Sequence, residues 1–254
     1  MSISRKIIFI IIPFILQFNS YSNEHLKTLL MKADFFKKDE AELTKSNIVF
    51  KFERWEVKKK GKKRLFVSYF KNKEGKVIAE ERLLLEGKKL IRYELDQLQV
   101  NEHAHFVLKE DGYLEMQYRK GKEDEHSKLK WEENFILPPM ILDYVKENYS
   151  EFNKGPKEVE LVVPHLQKNI SFTFFLKEKK ESKCFKDAFL CILFKPSNFF
   201  IGLFTESLHL SFDKKLRLIK ASGPTLLYWD NRKKDSLRPF SGDSYFNYKK
   251  TNTK

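Results

Sequence analysis

Cys184 and Cys191 are the two cysteines of the chain. Their spacing suits a hairpin. With Asp187 and Ala188 as the two turn residues, Lys186 faces Phe189, Phe185 faces Leu190 and Cys184 faces Cys191. Directly opposed residues on paired strands bring their Cβ atoms within bridging distance. In an oxidising compartment such a pair is expected as a disulfide, and two buried free thiols are the alternative. The register makes this a hydrogen-bonded pair, the less favourable site for a cross-strand bridge. A C-x-x-C motif is absent, so a bridge here would be structural rather than catalytic.

His103 and His105 lie two apart. On a strand both point to one face, which is the start of a metal site. Zinc needs three or four ligands, however. Glu102 falls on the opposite face, and His126 is a candidate third ligand from elsewhere. Two half-exposed histidines on a hairpin are the simpler expectation, and neither metal nor cofactor is expected. Ser-His-Asp chemistry calls for a recognisable nucleophile turn such as G-x-S-x-G, which is missing. Ser222-Gly223 and Ser241-Gly242 read as ordinary loop dipeptides. With 9 glycines in 254 residues, no backbone cradle for phosphate is in sight either. These absences point away from an enzyme. A hydrolase with an unrecognised site is the lesser alternative.

Charge suggests a partner. The chain carries 49 Lys+Arg against 35 Asp+Glu, a net +14. Basic clusters stand at residues 58–64, 177–186 and 232–234, all in expected turns. Nucleic acid is one reading of such a balance. The N-terminus redirects it. Arg5 and Lys6 precede an apolar run at residues 7–16, and Ser20-Tyr21-Ser22 closes a polar stretch. Basic start, short apolar core and small residues at the end describe an export signal cleaved after Ser22. Ten apolar residues broken by Pro13 reach only about half of the roughly 20 that a spanning helix needs. Without this leader 47 basic side chains face 35 acidic ones, a net +12. A periplasmic location follows as the expectation, with an anionic membrane surface or an acidic envelope partner in place of nucleic acid.

The elements that must position these groups are mostly strands. Residues 23–38 carry Leu26, Leu29, Leu30, Ala33 and Phe36 at helical spacing, so an N-terminal helix is expected there, capped by Asn23. From residue 48 the period is two. Phe50 and Phe52 set an apolar face that Trp55 and Val57 take over after a slip, which a bulge near Arg54 would explain. Short turns such as Glu110-Asp111-Gly112 join strand after strand. A mid-chain helix at residues 138–149 opens on Pro138-Pro139 and presents Ile141, Leu142, Val145 and Tyr149. Strands resume at residue 157. Residues 231–254 read as a polar C-terminal tail. Roughly eleven or twelve strands with no linker imply one mainly β (α+β) domain over residues 23–230. Its large antiparallel sheet should curl into a half-barrel, with the N-terminal helix and the mid-chain helix covering its concave face.

This order of elements resembles the half-barrel of bacterial lipoprotein carriers. The segment from Phe135 through Pro138-Pro139 to Leu142, then Gly155 and the strand from Val159 to Pro164, is similar to uncharacterised exported β-rich proteins. The resemblance implies the fold and a concave apolar surface that holds a lipid or acyl chain. Phe172, Phe174, Leu208, Leu210 and Phe212 are the candidate ligand-binding residues. The alternative is a structural or partner-binding envelope protein in which the same side chains form a filled core.

Overall fold

The structure, a computed structural model, describes residues 27–40, 42–58, 61–164, 167–176, 184–198, 206–229 and 238–248. The leader expected at residues 1–22 lies outside them. Among the described residues fifteen strands form one sheet. In chain order they are β1 (Lys27–Lys37), β2 (Phe50–Lys58), β3 (Lys63–Asn72), β4 (Val77–Glu86), β5 (Lys89–Gln97), β6 (Glu102–Leu108), β7 (Tyr113–Lys120) and β8 (Glu123–Lys130). The second half adds β9 (Phe135–Ile136), β10 (Lys157–Val163), β11 (Lys168–Leu176), β12 (Leu190–Pro196), β13 (Leu208–Phe212), β14 (Leu218–Trp229) and β15 (Arg238–Asn247). Between β9 and β10 lies the helix α1 (Ile141–Asn148), entered through a 3-10 turn at Pro138–Met140 and continued by another at Tyr149–Lys154.

Each strand from β1 to β8 pairs with the next as an antiparallel meander, and so does each from β10 to β15. Parallel pairing occurs at β9 with β10. The two halves meet where β1 pairs with β15, Lys32 opposite Asn247 and Lys37 opposite Gly242. Both ends of the described chain therefore lie in the middle of the sheet, while β8 and β9 are its edges. Side chains bring the edges together. Gln167, in the β10–β11 turn, accepts from Ser127 Oγ at 2.9 Å and donates to Glu125 at 2.8 Å on β8. Trp131 packs edge-on to Phe135.

Several expectations change. Residues 27–37 form a strand rather than the N-terminal helix. The helical spacing is present, but Met31, Ala33 and Phe35 also alternate, and all three are buried. Pairing on both sides with β2 and β15 selects that period. A bulge does lie beside Arg54, with its extra residue, Leu30, on β1. β2 itself pairs with β3 without a slip. Arg54 simply continues the inward phase of Phe50 and Phe52, and Trp55 and Val57 face outward beside Val67 and Tyr69. Residues 238–247, read as loose tail, are β15. Its inward positions Phe240, Gly242, Ser244 and Phe246 alternate, and the two small ones hide the pattern. The mid-chain helix stands as expected. Ile141, Val145 and Phe152 are buried, whereas Tyr149 is exposed. Gly155 ends the segment at φ 140°, a conformation open chiefly to glycine.

Candidate functional site

The concave face fills in three apolar clusters. One lies between β3–β7 and the residues Phe135, Leu137 and Val162 at the β9–β10 end of the sheet. A second packs beneath α1, and a third lines the β1–β4 and β14–β15 seam. Where the second and third approach each other, an apolar cavity of about 190 Å³ remains. Its walls include Met31, Phe35, Phe52 and Phe70 from one half of the sheet and Leu210 and Phe246 from the other. Pro138, Pro139, Ile141 and Leu142 roof it.

Two ionisable residues, Arg54 and Glu81, line this apolar space. Arg54 is 6% exposed and Glu81 5%. Arg54 stands opposite Ser68, and Ser68 opposite Glu81. The two residues are thus two strands apart in one cross-strand row, their backbones roughly 10 Å apart along the sheet. Arg54 Nη1 donates to the carbonyl of Pro139 at 3.0 Å, which ties the roof to the floor. Its guanidinium also lies 4.8 Å from the centre of the Phe66 ring. Arg54 Nε is enclosed without an acceptor. Tyr93 donates its hydroxyl to Glu81 at 3.0 Å. Burial pushes the Glu81 carboxyl up, against the pull of Arg54 and hydrogen bonds from Tyr93 and Ser68. The same burial lowers Arg54 and, with Glu81 alongside, holds Tyr93 well above the usual phenol range.

The expected ligand residues divide. Leu208 and Leu210 line the cavity. Phe174 and Phe212 are fully buried in the cluster under α1 and do not reach it. Phe174 stacks on Tyr144 and contacts Phe152 and Phe194. Phe172 is half-buried and stacks on Phe194. Apolar periodicity singles out neither Arg54, where the charge reads as a slip, nor Glu81, which passes as an ordinary polar strand position. The signal was there: Phe50, Phe52, Arg54 on one strand and Ala79, Glu81, Leu83 on another keep strict alternation.

Cys184 and Cys191 form a disulfide. Its setting differs from the hairpin expected. Only Cys191 is on a strand, β12, and Cys184 belongs to a loop closed by Ala188 N–H donating to Phe185 O. That loop lies along β13, with Phe185 N–H bonded to Ser211 Oγ and Phe189 N–H to Phe212 O. His103 and His105 do share a face. His103 Nδ1 lies 2.7 Å from Asp96, and His105 Nε2 lies 3.9 Å from Glu94. Glu102 is buried on the opposite face and takes Lys120 at 2.6 Å. His126 sits by Asp124 at 3.4 Å. Among the described residues no group of three or more His, Cys, Asp or Glu side chains gathers for a metal.

His209, Ser222 and Asp243 form a buried cross-strand row on β13, β14 and β15. Serine is the middle member, so histidine and carboxylate are about 10 Å apart along the sheet. A triad needs histidine in the middle, oriented by the carboxylate. Asp243 instead pairs with Lys220 at 3.1 Å.

Among the described residues no helix is long and apolar enough to cross a membrane. No protein-family model matches the chain, and no curated protein matches it. Among solved structures the chain is similar to a β-barrel-like protein of a domain of unknown function, DUF1849, from Brucella abortus. That match has a TM-score of 0.38 and 8% sequence identity, and covers 88% of this chain and 97% of that one.

Proposed function

We propose that the chain is an exported, non-enzymatic binding protein that holds an apolar or acyl ligand beneath α1. The observation that carries this reading is the cavity, whose aromatic and aliphatic walls are roofed by one short helix. Export is supported by the leader pattern at residues 1–22 and by the disulfide. The hairpins and mid-chain helix that resemble the lipoprotein carriers support an acyl ligand, while the N-terminal helix of that resemblance is replaced here by β1. Basic residues at the turn into β3, such as Lys62, and at its start, Lys63 and Arg64, are exposed and suit an anionic membrane surface or acidic envelope partner.

The volume limits what lies wholly inside. A cavity of about 150 Å³ accepts benzene, so one slightly larger accommodates roughly six to eight carbons. The pocket is open to solvent, so the end of a longer chain can extend out of it. The second reading, an envelope protein with a filled interior, draws on the complete burial of Phe174 and Phe212.

Delipidated protein should take up a fluorescent acyl probe at micromolar concentration. Ala221→Phe, which places a ring in the cavity, should abolish uptake while leaving the protein folded. Equal uptake by both proteins overturns the cavity as the site. A folded wild type that takes up no probe favours the filled interior.

A further inference from the structure

The cavity is not a plain hydrocarbon pocket, because Arg54 is one of its walls. A guanidinium carries five N–H donors and no acceptor. Here Nη1 is satisfied by the Pro139 carbonyl and Nε is enclosed with no partner. An unmet buried donor is costly, and a ligand oxygen brought beside the guanidinium relieves such costs. A carboxyl group already stands on the same wall, because Glu81 lines the cavity together with Arg54. The neighbouring cation, Arg64, whose guanidinium lies over the same Phe66 ring, is bonded to Glu56 at 2.7 Å. A ligand anion would bring a further charge into an apolar pocket beside Glu81, which burial penalises heavily.

We infer that the cavity takes an uncharged acyl ester, its carbonyl oxygen accepting from the Arg54 guanidinium and its chain lying along Met31, Phe35, Phe52 and Leu210. This rests on the binding reading above and narrows it to one ligand class. The roof contributes as well. Pro139 already uses one guanidinium N–H, so a bound carbonyl shares Arg54 with the backbone of the 3-10 turn and does not replace it.

The test compares methyl hexanoate, hexanoate and nonane as competitors of the acyl probe. It uses the full chain and the variants Arg54→Met and Arg54→Met with Glu81→Gln. The double variant removes both buried charges, so that a stranded Glu81 does not unfold the protein. Arg54→Met should weaken methyl hexanoate about tenfold, the effect of one lost hydrogen bond with its donor, and leave nonane unchanged. The double variant should behave alike. Equal shifts for ester and alkane overturn the assignment of Arg54 while the binding reading stands. A larger loss for hexanoate than for the ester overturns the uncharged class. Failure of every competitor and of the probe to bind folded wild type overturns the binding reading itself.

Discussion

Replacing Cys184 and Cys191 together by alanine tests how the bridge stabilises the sheet. The cysteines are seven residues apart in sequence, so the bridge closes a loop of eight residues. In the chain-entropy picture such a loop removes about 8 cal/mol/K from the unfolded ensemble, or about 2.5 kcal/mol at 25 °C. With a urea slope of about 3 kcal/mol/M for a domain of this size, the midpoint should fall by about 0.8 M. Urea titrations read by tryptophan fluorescence and by far-ultraviolet dichroism give the midpoint and slope. The picture places the effect in the unfolded chain. In the unbridged protein under native conditions, the Phe189 amide, bonded to Phe212 O at 2.8 Å, should therefore stay protected from exchange. A midpoint shift of less than about 0.2 M refutes the loop-closure magnitude. Rapid exchange at Phe189 without global unfolding refutes the mechanism, because the bridge would then be ordering the folded loop.

Four other outcomes are expected. Gly242→Ala drives a Cβ into the Phe36 carbonyl across the β1–β15 seam and into the buried Phe240 ring, so it should cost about 3 kcal/mol in thermal or urea unfolding. Gly75→Ala, in open space at φ 86°, should cost about 1 kcal/mol by the same measurement. Burial raises the Glu81 carboxyl, so the folded chain keeps a proton that the unfolded chain has released. Stability should therefore fall as pH rises from about 4.5 through the raised folded value, and Glu81→Gln should flatten that slope in urea titrations across pH. Phe174→Ala should cost about 3–5 kcal/mol yet leave acyl-probe affinity unchanged in protein that remains folded, since its ring is core and not cavity wall.

Local patterns announced what depends on near neighbours. The Lys109–Tyr113 turn forms around Gly112 at φ 83°, and Pro138 and Pro139 open the mid-chain helical segment. Elements whose identity depends on a distant partner were read less well. Residues 29–36 satisfy both a helical and a strand period, and it is β15, some two hundred positions away, that decides between them. β15 in turn presents Gly242 and Ser244 inward, so it has no hydrophobic alternation to show until its partners are known. At the site the difficulty was one of interpretation. Apolar periodicity finds a face by its hydrophobic members, so it discards the two residues, Arg54 and Glu81, that give this face a chemical character. The cysteine pairing was legible from spacing and from the expectation of an oxidising compartment, although the loop that carries it is not a hairpin.

The order of strands has a consequence for how the chain could be cut and rejoined. β8 and β9 are the two edges of the sheet, and only residues 131–134 link them in sequence. β1 and β15, which hold the two ends of the described chain, are direct neighbours. A circular permutant opened at residues 131–134 and joined from residue 248 to residue 27 would run β9 to β15 and then β1 to β8. Every strand would then pair with its neighbours in sequence. The join must pass back along about five residues of β1, roughly 17 Å, a span for a short flexible linker. Such a permutant keeps the ladder but turns its most distant pairing into a hairpin. Its lower contact order should make it the faster folder of the two.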